Sequence, residues 1–197
     1  MPKPQTFRSM LAGGPRLGAG RVCEVVELVL AQPRKAPRLV ACLWDADPGV
    51  ACRAADALEK VSHRRPQLLA PLEDAIWKNA LLGLLAEATE IKLRWNLALM
   101  VPRLTLTPAE VRRAASALHT YLEDRSSIVK TCAMQGLAEL TRQDPSILPE
   151  VLDLVRILAR SGTPAMRARG RKLLKHLETL DSPAKRPPRP RSAARTA

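Results

Sequence analysis

The stretch DPGVACRAADALEKV, from Asp47 to Val61, decides the fold. A turn residue precedes a helix whose apolar positions Val50, Ala54, Ala57, Leu58 and Val61 recur at helical spacing. The same plan returns in TEIKLRWNLALMVPRL from Thr89, SSIVKTCAMQGLAEL from Ser126 and TPAMRARGRKLLKHL from Thr163. Aligning Leu58, Leu99, Leu137 and Leu174 gives spacings of 41, 38 and 37 residues. A period of that length predicts stacked helical hairpins, because each unit can hide its apolar face only against its neighbours. Such an array offers an extended binding surface rather than a catalytic pocket.

Composition agrees. Of the 197 residues 46% are apolar but only 3% aromatic, which favours helices with small interface residues over a β-sandwich. No run of 18 apolar residues exists, so no membrane span is expected, and the opening MPKPQTFRSMLAGG makes a poor signal peptide. The four cysteines form no CxxC pair and read as reduced hydrophobes of a cytoplasmic protein. Eight of the thirteen net positive charges come from the ends: Lys3, Arg8 and Arg16, then Lys185, Arg186, Arg189, Arg191 and Arg195.

Helices are predicted from Arg21 to Pro33, over 37–45 and 48–62, then in pairs at 67–86 and 90–101, 108–123 and 127–142, and 146–160 and 164–180. Asp47-Pro48, Thr107-Pro108 and Thr163-Pro164 each set a capping oxygen before a proline at the first helical position. Thr107 with Glu110 adds a capping box. Residues 1–20 are expected to be a flexible segment with at most a short helix near Phe7–Leu11. Residues 181–197, rich in Pro and Arg, are expected to be a disordered basic tail.

The turn aspartate Asp47, the branched apolar Val50, the basic Arg53 and the following Ala54, Ala57 and Leu58 resemble the HEAT-repeat family, over about residues 21–180. The resemblance implies an all-α, right-handed α-solenoid of about four HEAT-like hairpins plus an N-terminal half unit. It also implies that second helices line the concave face. Residues 48–65, 89–104 and 125–143 each carry a net charge of +2 and 162–181 carries +3, whereas the first-helix segments 67–88, 107–124 and 145–160 carry −2, −1 and zero. Positive charge is therefore sorted onto one helix layer, which concentrates anionic partners.

Arg53, Lys92, Arg94, Lys130, Arg167, Arg169 and Arg171 are the candidate contacts, with Trp95 beside Arg94. Arg53, Arg94 and Arg169 share one register in the alignment above. They can form a ladder onto turn acids and carbonyls of adjacent repeats, a row of guanidinium groups for an anionic ligand, or both. Trp44 and Trp77 are expected in the core. His63, His119 and His176 lack metal-ligand spacing, and Ser126 and Ser127 lack a base. The glycines from Gly13 to Gly20 follow no strand and have no Walker spacing.

The expected function is a non-enzymatic, cofactor-free interaction scaffold whose basic concave face binds an acidic protein segment. Nucleic-acid binding is the alternative. Least favoured is a lyase or a glycosylase on a HEAT scaffold, because Leu81 and Leu99 stand one helical turn from Trp77 and Trp95, where a resemblance to alkylpurine DNA glycosylases would need an aspartate.

Overall fold

In the computed structural model, which describes residues 5–14 and 18–181, the described residues form ten α-helices and no strand. The expectations for the tail after Asp181 lie outside these residues. The helices are α1 (Phe7–Leu11), α2 (Val22–Ala31), α3 (Ala36–Ala41), α4 (Pro48–Arg64), α5 (Ala75–Glu87), α6 (Ile91–Met100), α7 (Pro108–Tyr121), α8 (Ser127–Leu140), α9 (Leu148–Ser161) and α10 (Pro164–Asp181). No described helix is long and apolar enough to cross a membrane.

The starts follow the capping chemistry. Asp47 Oδ1 accepts from the Gly49 amide at 2.8 Å, and Thr107 and Glu110 satisfy each other's backbone donors. One element differs from its expectation. The helix foreseen from residue 67 is a 3-10 stretch, Pro66–Leu72, and α5 begins only at Ala75, after Asp74 accepts from the Ile76 amide at 2.9 Å. Pro71 lacks the amide an α-helix needs there and its ring crowds the preceding turn.

Helices α2, α4, α6, α8 and α10 pack in series, each against the next. A second layer lies beside them: α3 contacts α4 and the 66–72 turn, α5 packs on α7, and α7 and α9 pair with α8 and α10. The buried apolar residues form one continuous core.

Burial also corrects the register. Val50, Ala54, Leu58 and Val61 are matched by Leu93, Leu97, Val101 and Leu104, by Val129, Ala133, Leu137 and Leu140, and by Met166, Gly170, Leu174 and Leu177. The residues preceding the helices are Asp47, Glu90, Ser126 and Thr163, giving spacings of 43, 36 and 37. Val101, not Leu99, is therefore level with Leu58. Two aliphatic series interleave along α6, so sequence spacing alone did not choose between them. Arg53 is level with Asn96, Cys132 and Arg169, while Arg94 belongs with Lys130 and Arg167.

The short helix expected near Phe7–Leu11 is present as α1. Phe7, Met10 and Leu11 of α1 are buried, and Arg53, only 2% exposed, donates its Nε to the Leu11 carbonyl. Gly49 leaves room for that guanidinium, since a Cβ there would lie 2.7 Å from it.

Close approach of the serial helices depends on small residues. A Cβ at Gly136 of α8 would collide with the Ala98 carbonyl of α6 and lie 2.9 Å from Leu118 Cδ1 of α7. Gly136→Ala, although it raises helix propensity, should therefore destabilise the chain by about 1–3 kcal/mol. Chemical denaturation would show the lower midpoint.

Candidate functional site

A groove of about 480 Å³ crosses the serial layer, drawing residues from α2, α4, α6 and its terminal turn, α8 and α10. Its charged walls are Glu27, Glu59, Lys60, Arg64, Arg103 and Arg169, four cations against two carboxylates. Cys23, Val26, His63, Leu99 and Gln135 complete the lining. The spacing explains the convergence: Arg169 is six residues past its cap, Leu99 and Gln135 nine past theirs, and Lys60 and Arg103 thirteen. Offsets of 6, 9 and 13 lie on one helical stripe, turned away from the core stripe.

Most of these charges are already engaged. Arg103 bonds Glu59 Oε1 at 2.8 Å and Ser62 Oγ at 2.6 Å, Arg64 pairs with Glu27, and Lys60 with Asp56. Arg169 is exposed and has no carboxylate partner among the described residues. Gln135 Nε2 donates to Glu139 at 2.7 Å, but Gln135 Oε1 is buried without a hydrogen-bond partner. Burial pushes the Cys132 thiol up to about 11, against the lowering influence of Arg169. The groove thus offers a guanidinium, an unfilled acceptor and an unreactive thiol neighbour.

Of the eight residues expected to contact a partner, Arg169 alone lines this groove. Arg53 and Lys92 are buried, so a partner docking on the surface does not reach them. Lys92 Nζ bonds Asp56 at 2.8 Å and the Gly18 carbonyl at 3.2 Å. Trp95 is half-buried against the core and Lys130 is also half-buried. Arg167 and Arg171 are exposed on α10 outside the groove, Arg167 donating to the Gly162 carbonyl at 3.3 Å.

Arg94 belongs to the inter-unit turns. It donates Nε to the Ala88 carbonyl at 2.7 Å, pairs with Asp124, and lies 4.7 Å from the centre of the Tyr121 ring. Asp124 meanwhile accepts from the Ser126 amide at 2.7 Å. Asp45 repeats the arrangement two residues before its own cap, accepting from Asp47 N at 2.9 Å and Arg8 Nε at 2.8 Å. The ladder of arginines onto turn acids therefore exists, but its rungs are Arg8–Asp45 and Arg94–Asp124.

Trp44 and Trp77, expected in the core, lie at the surface, 37% and 41% exposed. The late start of α5 leaves Trp77 in its first turn, and Trp44 ends a 3-10 turn after α3. Their rings pack on each other instead, centroids 5.3 Å apart.

No protein-family model matches the chain, and no curated protein does. Among solved structures it is similar to the crystal structure of an engineered protein from the Northeast Structural Genomics Consortium. The two share 16% identity at a TM-score of 0.62, over 88% of this chain and 78% of the other. That likeness shows the fold alone.

The groove cations Lys60, Arg64 and Arg103 were not among the expected contacts. Lys60 and Arg103 share an offset of thirteen from their caps and Arg64 lies one helical turn beyond Lys60; for Arg103 that signal becomes readable only once the register of α6 is fixed.

Arg94→Ala should leave the nearly buried Asp124 carboxylate unpaired and cost about 2 kcal/mol in denaturant unfolding. Arg94→Lys should recover little, since one ammonium cannot serve the carbonyl and carboxylate and also cover the ring. Tyr121, the only tyrosine, is fully buried and its phenol is pushed up to about 12, chiefly by desolvation, with Arg94 pulling the other way. The folded form holds that proton where the unfolded chain has lost it. Stability from this group is thus complete below about pH 10 and falls as pH rises towards 12. Phenolate absorbance should appear only near that upper value, together with unfolding.

Proposed function

We propose that the chain is a right-handed α-solenoid of about four HEAT-like hairpins with an N-terminal half unit. In this reading it is a cytoplasmic, non-enzymatic scaffold that binds an acidic protein segment along the groove. The observation that carries this is the groove's span: it reaches every helix of the serial layer and sets four cations against two carboxylates. Opposite-sign segments are steered there, and aliphatic stems of arginine and lysine cover the ligand's apolar atoms. Arg169 supplies the guanidinium not already committed to a carboxylate. A peptide also brings an N–H at nearly every residue, which suits the unfilled Gln135 Oε1.

A second reading, nucleic-acid binding, is favoured by the exposed row Arg167, Arg169, Arg171, Lys172 and Lys175 on α10. It requires affinity that falls steeply and log-linearly with salt.

Binding of a fluorescent Glu-rich peptide and of a single-stranded oligonucleotide to the full chain separates the two. Arg64→Glu with Arg169→Glu should weaken the peptide about tenfold, ~1.4 kcal/mol. Arg167→Glu with Arg171→Glu, the same charge change outside the groove, should have a much smaller effect. Equal weakening by both pairs, or none by either, would sink groove recognition. Tight oligonucleotide binding, weakened by the α10 pair, would favour the second reading.

A further inference from the structure

Three exposed apolar side chains stand on the layer that carries α3 and α5, and none of them lines the groove: Trp44, Trp77 and Ile76, the last 78% exposed. The two indoles touch with their planes tilted by 50°, so each hides part of the other while its outer face stays in water. Ile76, next to Trp77 in the chain, widens the patch. A contiguous apolar patch at the surface marks a place of interaction.

The charge around this patch is opposite to that of the groove. Asp45 and Asp47 follow Trp44, and Glu73 and Asp74 precede Ile76. Residues 67–88 carry −2 in a chain of +13. Asp45 is taken by Arg8 at 2.8 Å, and Glu73 accepts from the Thr105 amide at 2.9 Å. Asp74 differs: it is exposed, one of its oxygens caps α5, and no cation pairs with it among the described residues. Lys78, one turn further along α5, is directed instead to Glu73 at 3.5 Å and to the Thr105 carbonyl at 2.8 Å. Asp74 and Trp77 are three residues apart, which sets a carboxylate beside an indole on one face of the helix start.

These groups select a ligand by its chemistry. The face of an indole attracts cations, and a nearby carboxylate adds to that attraction. A guanidinium is flat, so it can stack on the ring while its N–H fork meets the carboxylate, whereas an ammonium is a hydrated point charge. The aliphatic stem of an arginine also covers apolar surface such as Ile76.

We propose that the Trp44–Trp77 face docks an arginine-bearing segment of a partner protein. One guanidinium stacks on the outer face of an indole and donates to Asp74. The inference is independent of what the groove binds, since the two surfaces select ligands of opposite charge.

The test titrates the full-length, ¹⁵N-labelled chain with end-blocked hexaarginine and hexalysine peptides, reading the indole N–H signals of its three tryptophans. Hexaarginine should shift the Trp44 and Trp77 signals saturably and leave that of Trp95, half-buried on α6, in place. Hexalysine should bind several-fold more weakly. Asp74→Asn retains a capping oxygen, and with it the start of α5, and should weaken hexaarginine about threefold. Trp77→Ala, followed through the Trp44 signal, should weaken it about fivefold. No saturable shift, an equal shift of Trp95, unchanged affinity in Asp74→Asn, or hexalysine binding as tightly as hexaarginine would each overturn the proposal. So would Trp44 and Trp77 signals that move with protein concentration before any peptide is added, which would mean that a second copy covers the patch.

Discussion

Each helix of the serial layer hides its apolar stripe against the serial helices before and after it and against the second layer beside them. Everything else in the molecule follows from how closely those helices approach. Val50, Leu58 and Val61 of α4 are fully buried because α2 and α6 flank them on either side. The approach is set by small side chains, Ala54 and Ala57 on α4, Ala98 on α6 and Ala133 and Gly136 on α8, which let backbones rather than side chains meet. Once that distance is fixed, the stripe facing away from the core is also fixed, and with it the line of residues that becomes the groove.

Most of the polar links between units act near the ends of the helices, where backbone groups lack intrahelical partners. Arg8–Asp45 and Arg94–Asp124 close one end, and Arg103–Glu59 and Gln143–Pro102 close the other. This placement keeps most of those links out of the core, and the buried Lys92–Asp56 pair between α6 and α4 is satisfied within itself. It also explains why so much of the layer's positive charge is not available to a ligand. Arg53, Lys92, Arg94 and Arg103 each hold a carbonyl, a carboxylate or both within the protein.

The helices themselves were legible because their boundaries are written in local chemistry. Proline after a capping residue at 47–48, 107–108 and 163–164 marks starts that no tertiary contact overrides. Register within α6 was not legible, because Leu93, Leu97 and Val101 compete with Ile91 and Leu99 for the core at similar spacing. A two-residue ambiguity there moved Arg94 into the wrong row and hid Arg103. The sign of the layer's charge survived that error, since net charge does not depend on register, whereas the identity of the contact residues does. Trp44 and Trp77 were misplaced for a different reason. Hydrophobicity predicts burial only where a neighbour exists to bury against, and the 3-10 stretch before α5 shifted that neighbour.

Cysteine placement along the groove has one further consequence. Burial raises the thiols of Cys42, Cys52 and Cys132, and the first two are buried outright. Cys23 alone is exposed, and it stands on the groove wall contributed by α2. The native chain thus carries a single accessible alkylation handle beside the surface of interest. A thiol-directed fluorophore or spin label can be placed at the groove without changing any residue, which turns the protein into its own reporter of occupancy.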